Sequence, residues 1–165
     1  MATRRDAGKE LELAAELINR ITAGIEGVRI GVHVCRGNWS KQEDVLLKGD
    51  YAKLIPALQP MQIDQFVLEY ATPRAGDIEV VGSVLSDREL GLGVVNPRTD
   101  HIETPEEIMQ KAERALDFYR PEQLFLNTDC GFGCFAGRSV NVEDVAYNKL
   151  CSIVSAAKML RKKFG

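Results

Sequence analysis

Apolar positions along the chain switch repeatedly between a helical rhythm and short apolar runs. In residues 5 to 24, Leu11, Ala14, Ala15, Leu17, Ile18 and Ile21 fall on one side at helical spacing, and Gly24 and Gly27 follow as a stop. The β-branched run Val28 to Cys35 predicts a buried strand. Residues 39 to 49 are polar and irregular and read as a loop. Tyr51 to Leu58 predict a short helix stopped by Pro60. Gln65 to Tyr70 predict a second strand, Pro73 to Gly76 a turn, and Asp77 to Val84 an ambiguous segment compatible with a short helix. Glu89 to Val95 predict a third strand, broken by Asn96-Pro97.

Thr104-Pro105-Glu106-Glu107 is a helix start, with a capping threonine, proline at the first position and acids in the first turn. That helix is expected to run to about Phe118. Gln123 to Asn127 predict a fourth strand and Thr128 to Asn141 a long glycine-containing loop. Residues 142 to 162 predict a last amphipathic helix with Val145, Leu150, Ile153, Val154 and Leu160 as its core stripe. One helix followed by four strand–helix units implies parallel strands with right-handed crossovers. The expected fold class is α/β, a parallel (β/α)4 unit in one domain over residues 1–165. Such a unit is half of a TIM-type (β/α)8 barrel, or a small open sheet.

Composition narrows the function classes. The chain has 165 residues, 45% hydrophobic and 27% charged, which is ordinary for a soluble globular protein. Its formal net charge is −3, so no nucleic-acid partner is expected. The basic residues from Lys158 to Lys163 sit where cations suit the end of a helix. No long apolar run and no signal peptide are present, so no membrane is expected and the cytoplasm is the expected compartment. Four cysteines there point to ligands, catalytic groups or core rather than disulfides.

In parallel α/β folds, function collects at the carboxyl ends of the strands. His33 and Cys35 end the first predicted strand, two residues apart and therefore on one face. Glu69 ends the second, Asn96 and Arg98 follow the third, and Asp129 and Cys130 follow the fourth. His33, Cys35, Glu69 and Cys130 make a four-coordinate nitrogen, sulfur and oxygen set suited to Zn2+. Cys134 competes with Cys130 but lies farther from the strand end. Cys151 falls beside the apolar stripe of the last helix and reads as core. Taken singly, His33 and Cys35 also fit a core histidine and a small hydrophobe. Glu69 and Asn38 are candidate substrate contacts. Asp129 and Asn96 would shape a pocket. Arg98 would face an electrophile, or pair with Asp100 or Glu103.

At these residues the chain resembles the catalytic half of cobalamin-independent methionine synthase and its relatives. The matching pieces are His-Val-Cys-Arg-Gly-Asn (33 to 38), Leu-Glu-Tyr (68 to 70), Gly-Leu-Gly-Val-Val-Asn-Pro-Arg (91 to 98) and Asn-Thr-Asp-Cys-Gly-Phe (127 to 132). The resemblance implies a (β/α)8 barrel, with zinc held by His33, Cys35, Glu69 and Cys130. It implies a small-molecule thiol, homocysteine in the synthases, activated by zinc for attack on a methyl donor. The chain departs from the family in two respects. It resembles only the last four βα units, so it is an excised piece, or a second copy or separate chain completes the barrel. Arg98 stands where the folate-dependent enzymes carry an acid histidine, and His101 is out of register. The wording Arg-Gly-Asn-Trp and Cys-Gly-Phe-Gly is similar to the branch that includes the epoxyalkane:coenzyme M transferases, which implies coenzyme M and an epoxide as an alternative pair. A metal-binding half-barrel without turnover is the further alternative.

Overall fold

In the computed structural model, residues 6–133 and 135–165 are described, Glu43 by its backbone alone. Helix α1 (Ala7–Thr22) starts at Asp6, whose side chain accepts from the Gly8 N–H, and stops where Gly24 takes a positive φ of 78°. Strand β1 (Gly31–Val34) is shorter than expected, and, lying at the edge of the sheet, it has no buried residue, which corrects the expectation of a buried strand. The loop that follows carries a short 3-10 turn at Glu43–Val45.

Pro56 lies in the first turn of a four-residue helix, α2 (Ile55–Leu58), preceded by a 3-10 turn at Ala52–Leu54. The expected helix from Tyr51 therefore exists in two pieces. Strand β2 (Gln65–Glu69) is followed by a 3-10 turn and then α3 (Glu79–Leu85), which settles the ambiguous segment as helix. Strand β3 (Glu89–Val95) has the expected bounds. Helix α4 (Pro105–Ala115) opens on a complete capping box between Thr104 and Glu107. Strand β4 (Leu124–Thr128) and helix α5 (Glu143–Phe164) complete the chain.

The four strands form one parallel sheet in the order β1-β2-β3-β4. With a helix after each strand, this is the parallel (β/α)4 half of a TIM-type barrel. Register decides which side chains meet. Val34, Leu68, Leu92 and Leu126 align across the sheet and join the core under the helices. One residue earlier, His33, Val67, Gly91 and Phe125 align on the opposite face.

Two expected helix stripes need correction. On α1 only Ala15 is buried, while Leu17 is 42% and Ile21 is 69% exposed. On α5 the buried residues are Lys149, Ile153 and Ala156, and Leu150 and Val154 are about half exposed. α1 packs chiefly on α2, and α5 on α4, β3 and β4, so much of the apolar surface of both helices stays uncovered. For the same reason Cys151 is exposed rather than in the core. Among the described residues, no helix is long and apolar enough to cross a membrane.

Candidate metal centre

The carboxyl end of β1 presents His33 and, one residue past the strand, Cys35. The turn after β4 presents Cys130. One ligand atom from each of these three lies within 4.8 Å of the other two. The two sulfurs are 3.8 Å apart. Sulfurs each about 2.3 Å from a tetrahedral zinc would stand roughly 3.8 Å from one another, so the pair fits that ion as it stands. Thiolate and imidazole are also the donor types such an ion prefers.

His33 is oriented for the task. Its Nδ1 lies 3.0 Å from the Val67 carbonyl oxygen. A carbonyl only accepts, so Nδ1 carries the proton and Nε2 keeps its lone pair for a ligand. Cys130 is fixed by its own turn, where the Thr128 hydroxyl donates to the Cys130 carbonyl at 2.8 Å.

Glu69 stands outside this group. It is 1% exposed, its Oε1 accepts from the Arg36 amide at 3.1 Å, and its Oε2 is 3.6 Å from Arg74 Nη2 and 3.9 Å from Arg36 Nε. Its backbone is clamped by Tyr51, whose hydroxyl accepts from the Glu69 N–H at 2.8 Å. Cys134, the competitor of Cys130, lies outside the described residues.

Asp129 sits beneath the turn that carries Cys130. Its Oδ1 accepts from the Ala71 amide at 2.8 Å, tying the end of β4 to the end of β2. Burial pushes its carboxyl up to about 7, against the downward pull of the Ala71 amide. The site is crowded there: a Cβ on Gly93 would run into Asp129 Oδ1 and meet the Leu68 carbonyl at 2.8 Å.

Asn96 and Arg98 build the loop after β3. Asn96 Oδ1 accepts from the Arg98 amide at 3.0 Å, and its own N–H donates to Glu103 at 2.8 Å. Arg98 is 6% exposed; its Nε donates to the Ser40 carbonyl at 2.6 Å and its Nη2 to the Lys41 carbonyl at 3.1 Å. The guanidinium thus holds the loop after β1. Asp100 pairs with Lys41, and Glu103 with the fully buried Lys149. Asn38 is 1% exposed and accepts from Arg74 at 3.4 Å.

Tyr51, Arg36, Arg74 and Lys149 join the surroundings of the site without a signal of their own in the sequence pattern. Arg36 was legible only as part of a strand break. Its position directly after Cys35 was the available signal.

A family described as cobalamin-independent synthase, catalytic domain, matches residues 3–159. A methionine synthase of Pyrococcus abyssi is 34% identical over 154 residues, which are 93% of this chain and 40% of that protein. One from Thermococcus kodakarensis is 30% identical over the same shares. The chain therefore spans about 40% of the length of these curated relatives. Among solved structures, a B12-independent methionine synthase from a Shewanella species, in complex with selenomethionine, superposes with a TM-score of 0.76 at 24% identity, over 90% of this chain and 43% of that one. A putative B12-independent methionine synthase from Listeria monocytogenes gives 0.69 at 24% identity, over 97% and 44%.

Proposed function

The chain belongs to the cobalamin-independent synthase catalytic-domain family, and on that premise we propose that it is the thiol-activating half of a methyltransferase of methionine synthesis. The observation that carries this reading is the convergence of His33, Cys35 and Cys130 at one strand end. Zinc bound there would keep a substrate thiol, homocysteine in this reading, as a thiolate at neutral pH.

The chain's own residues do the rest. His33 holds Nε2 toward the site because Val67 fixes its other nitrogen. Cys35 and Cys130 supply two sulfurs from opposite ends of the sheet order. Glu69 would be the fourth ligand in this reading. Asp129 and Asn96 shape the pocket floor and its loop, and Arg98 positions the loop after β1 rather than meeting the electrophile directly. Asn38, which accepts from Arg74, would be a substrate contact in this reading. A reducing compartment such as the cytoplasm would keep both thiols available.

Because the chain spans about 40% of its relatives, we propose that turnover needs the remaining barrel units, supplied by another segment or chain. The uncovered apolar faces of α1 and α5 support this. The test is methyl transfer to homocysteine from a methyl-folate, and in a parallel assay from methylcobalamin, with the demethylated donor and methionine both measured, by the zinc-loaded chain, alone and mixed with the first half of a relative's barrel. Methionine formed only in the mixture, and abolished by Cys130→Ser, supports the proposal. Zinc-loaded mixtures that sediment as one complex yet form no methionine would overturn it.

A further inference from the structure

Lys111 projects from α4, the helix that packs against β3 and β4. Its ammonium donates to the Ala71 carbonyl at 2.6 Å and to the Val94 carbonyl at 3.2 Å, so one cation joins the carboxyl ends of β2 and β3. Ala71 is a two-way link. Its carbonyl takes the lysine, and its N–H donates to Asp129 Oδ1 at 2.8 Å. The Asp129 N–H in turn donates at 2.9 Å to the carbonyl of Val95, the neighbour of the second lysine acceptor. Cys130 is the next residue along the chain.

A lysine can cap strand-end carbonyls for stability alone. Two observations exceed that role here. Both acceptors belong to the short segments on which Asp129 is seated, Ala71 on one side and Val94-Val95 on the other. The Asp129 carboxyl is also 1% exposed, and a buried carboxylate needs a compensating cation. Burial lowers the Lys111 amine below the usual lysine range, and Asp129 is the first of the charges that pull it back up. The lysine thus supports the aspartate through the backbone of Ala71 and through its charge.

We propose that Lys111 is a positioning residue for the candidate metal centre: by holding Ala71 and Val94 it fixes Asp129, and through Asp129 it sets where Cys130 presents its sulfur to Cys35 and His33. The helix layer thereby supports a site whose candidate donors come from strand ends. The link to a metal rests on the function proposed for the site; the placing of Cys130 against Cys35 does not.

The test compares Lys111→Met, which removes the charge and the donors at similar length, with Lys111→Arg, which keeps both. The amine borders a cavity of about 510 Å³ beside Ala71 and Asn96, which has room for the larger group. In the metal-free chain, diamide oxidation of Cys35 to Cys130 is timed by peptide mapping. Lys111→Met should slow it roughly tenfold, through misplacement of Cys130, and leave oxidation of Cys151 unchanged. Lys111→Arg should keep near the parent's rate. In a second arm, zinc affinity is measured against a chromophoric chelator and the cobalt spectrum is recorded. Lys111→Met should weaken zinc roughly ten- to a hundredfold and shift the cobalt–thiolate bands, and Lys111→Arg should recover both. Asp129→Ala cuts the link, so adding Lys111→Met to it should weaken zinc by no more than about twofold further. If Lys111→Met does not fold by circular dichroism, Lys111→Gln takes its place. A folded variant with the parent's crosslinking rate and zinc affinity, or losses that add fully to those of Asp129→Ala, overturns the proposal. Slower crosslinking in a chain whose parent binds no zinc supports the placing of Cys130 and removes the metal reading.

Discussion

Cys35 Sγ stands 3.8 Å from Cys130 Sγ, across 95 positions of sequence. Both thiols reach the surface to some degree. In the metal-free protein they should therefore be oxidised to one another ahead of Cys151, which is exposed on a separate helix. Mild diamide treatment followed by peptide mapping is expected to find the Cys35–Cys130 crosslink, and prior loading with zinc to prevent it. Oxidation of Cys151 in preference to this pair would count against the arrangement.

Tyr51 is fully buried, and its hydroxyl is the acceptor for the Glu69 amide. Tyr51→Phe leaves that N–H unpaired at almost constant volume. The expected loss is about 1–3 kcal/mol, read as a lower urea midpoint with an unchanged slope. A variant as stable as the parent would mean that water reaches the amide.

Gly93 lies against Asp129 and the Leu68 carbonyl, so even a methyl group has no room. Gly93→Ala should destabilise by about 1–3 kcal/mol through overpacking. It should also weaken metal binding, because displacing Asp129 shifts the neighbouring Cys130. Gly133→Ala, where an added Cβ meets nothing within 4 Å, is the matched control and should leave both unchanged.

Lys149 is fully buried and pairs with Glu103 at 2.8 Å, while Glu103 also accepts from the Asn96 amide. Lys149→Met strands a buried carboxylate and is expected to cost about 3–5 kcal/mol. Adding Glu103→Gln, which removes the stranded charge and keeps an acceptor for Asn96, should restore most of it. Chemical denaturation of the three variants measures the coupling, and simple additivity would contradict it.

Most element bounds were legible because β2, β3, β4, α4 and α5 carry local signals: short apolar runs ended by polar or turn residues, the Thr104-Pro105-Glu106-Glu107 helix start and a long helical period. His33 and Cys35 could be placed on one face from strand geometry alone. Convergence of Cys130 on them followed from the rule that parallel strands present their carboxyl ends together. What was hidden is non-local. The outward faces of α1 and α5 look like core stripes in sequence, because periodicity does not tell whether a neighbour exists to cover them. Arg98 read as facing an electrophile or pairing with Asp100 or Glu103, and its attachment to the Ser40 and Lys41 carbonyls depends on how two loops meet. The pull of Arg36 and Arg74 on Glu69 is likewise a product of packing between separate loops.

Metal content tests the His33, Cys35 and Cys130 site most directly. The purified chain, equilibrated with zinc and freed of excess, is analysed for metal alongside His33→Ala, Cys130→Ser, Cys134→Ser and Cys151→Ser. One zinc per chain, lost with His33→Ala and Cys130→Ser and kept with Cys134→Ser and Cys151→Ser, is the predicted result. No bound zinc in the folded parent, or zinc retained equally by Cys130→Ser, would contradict it.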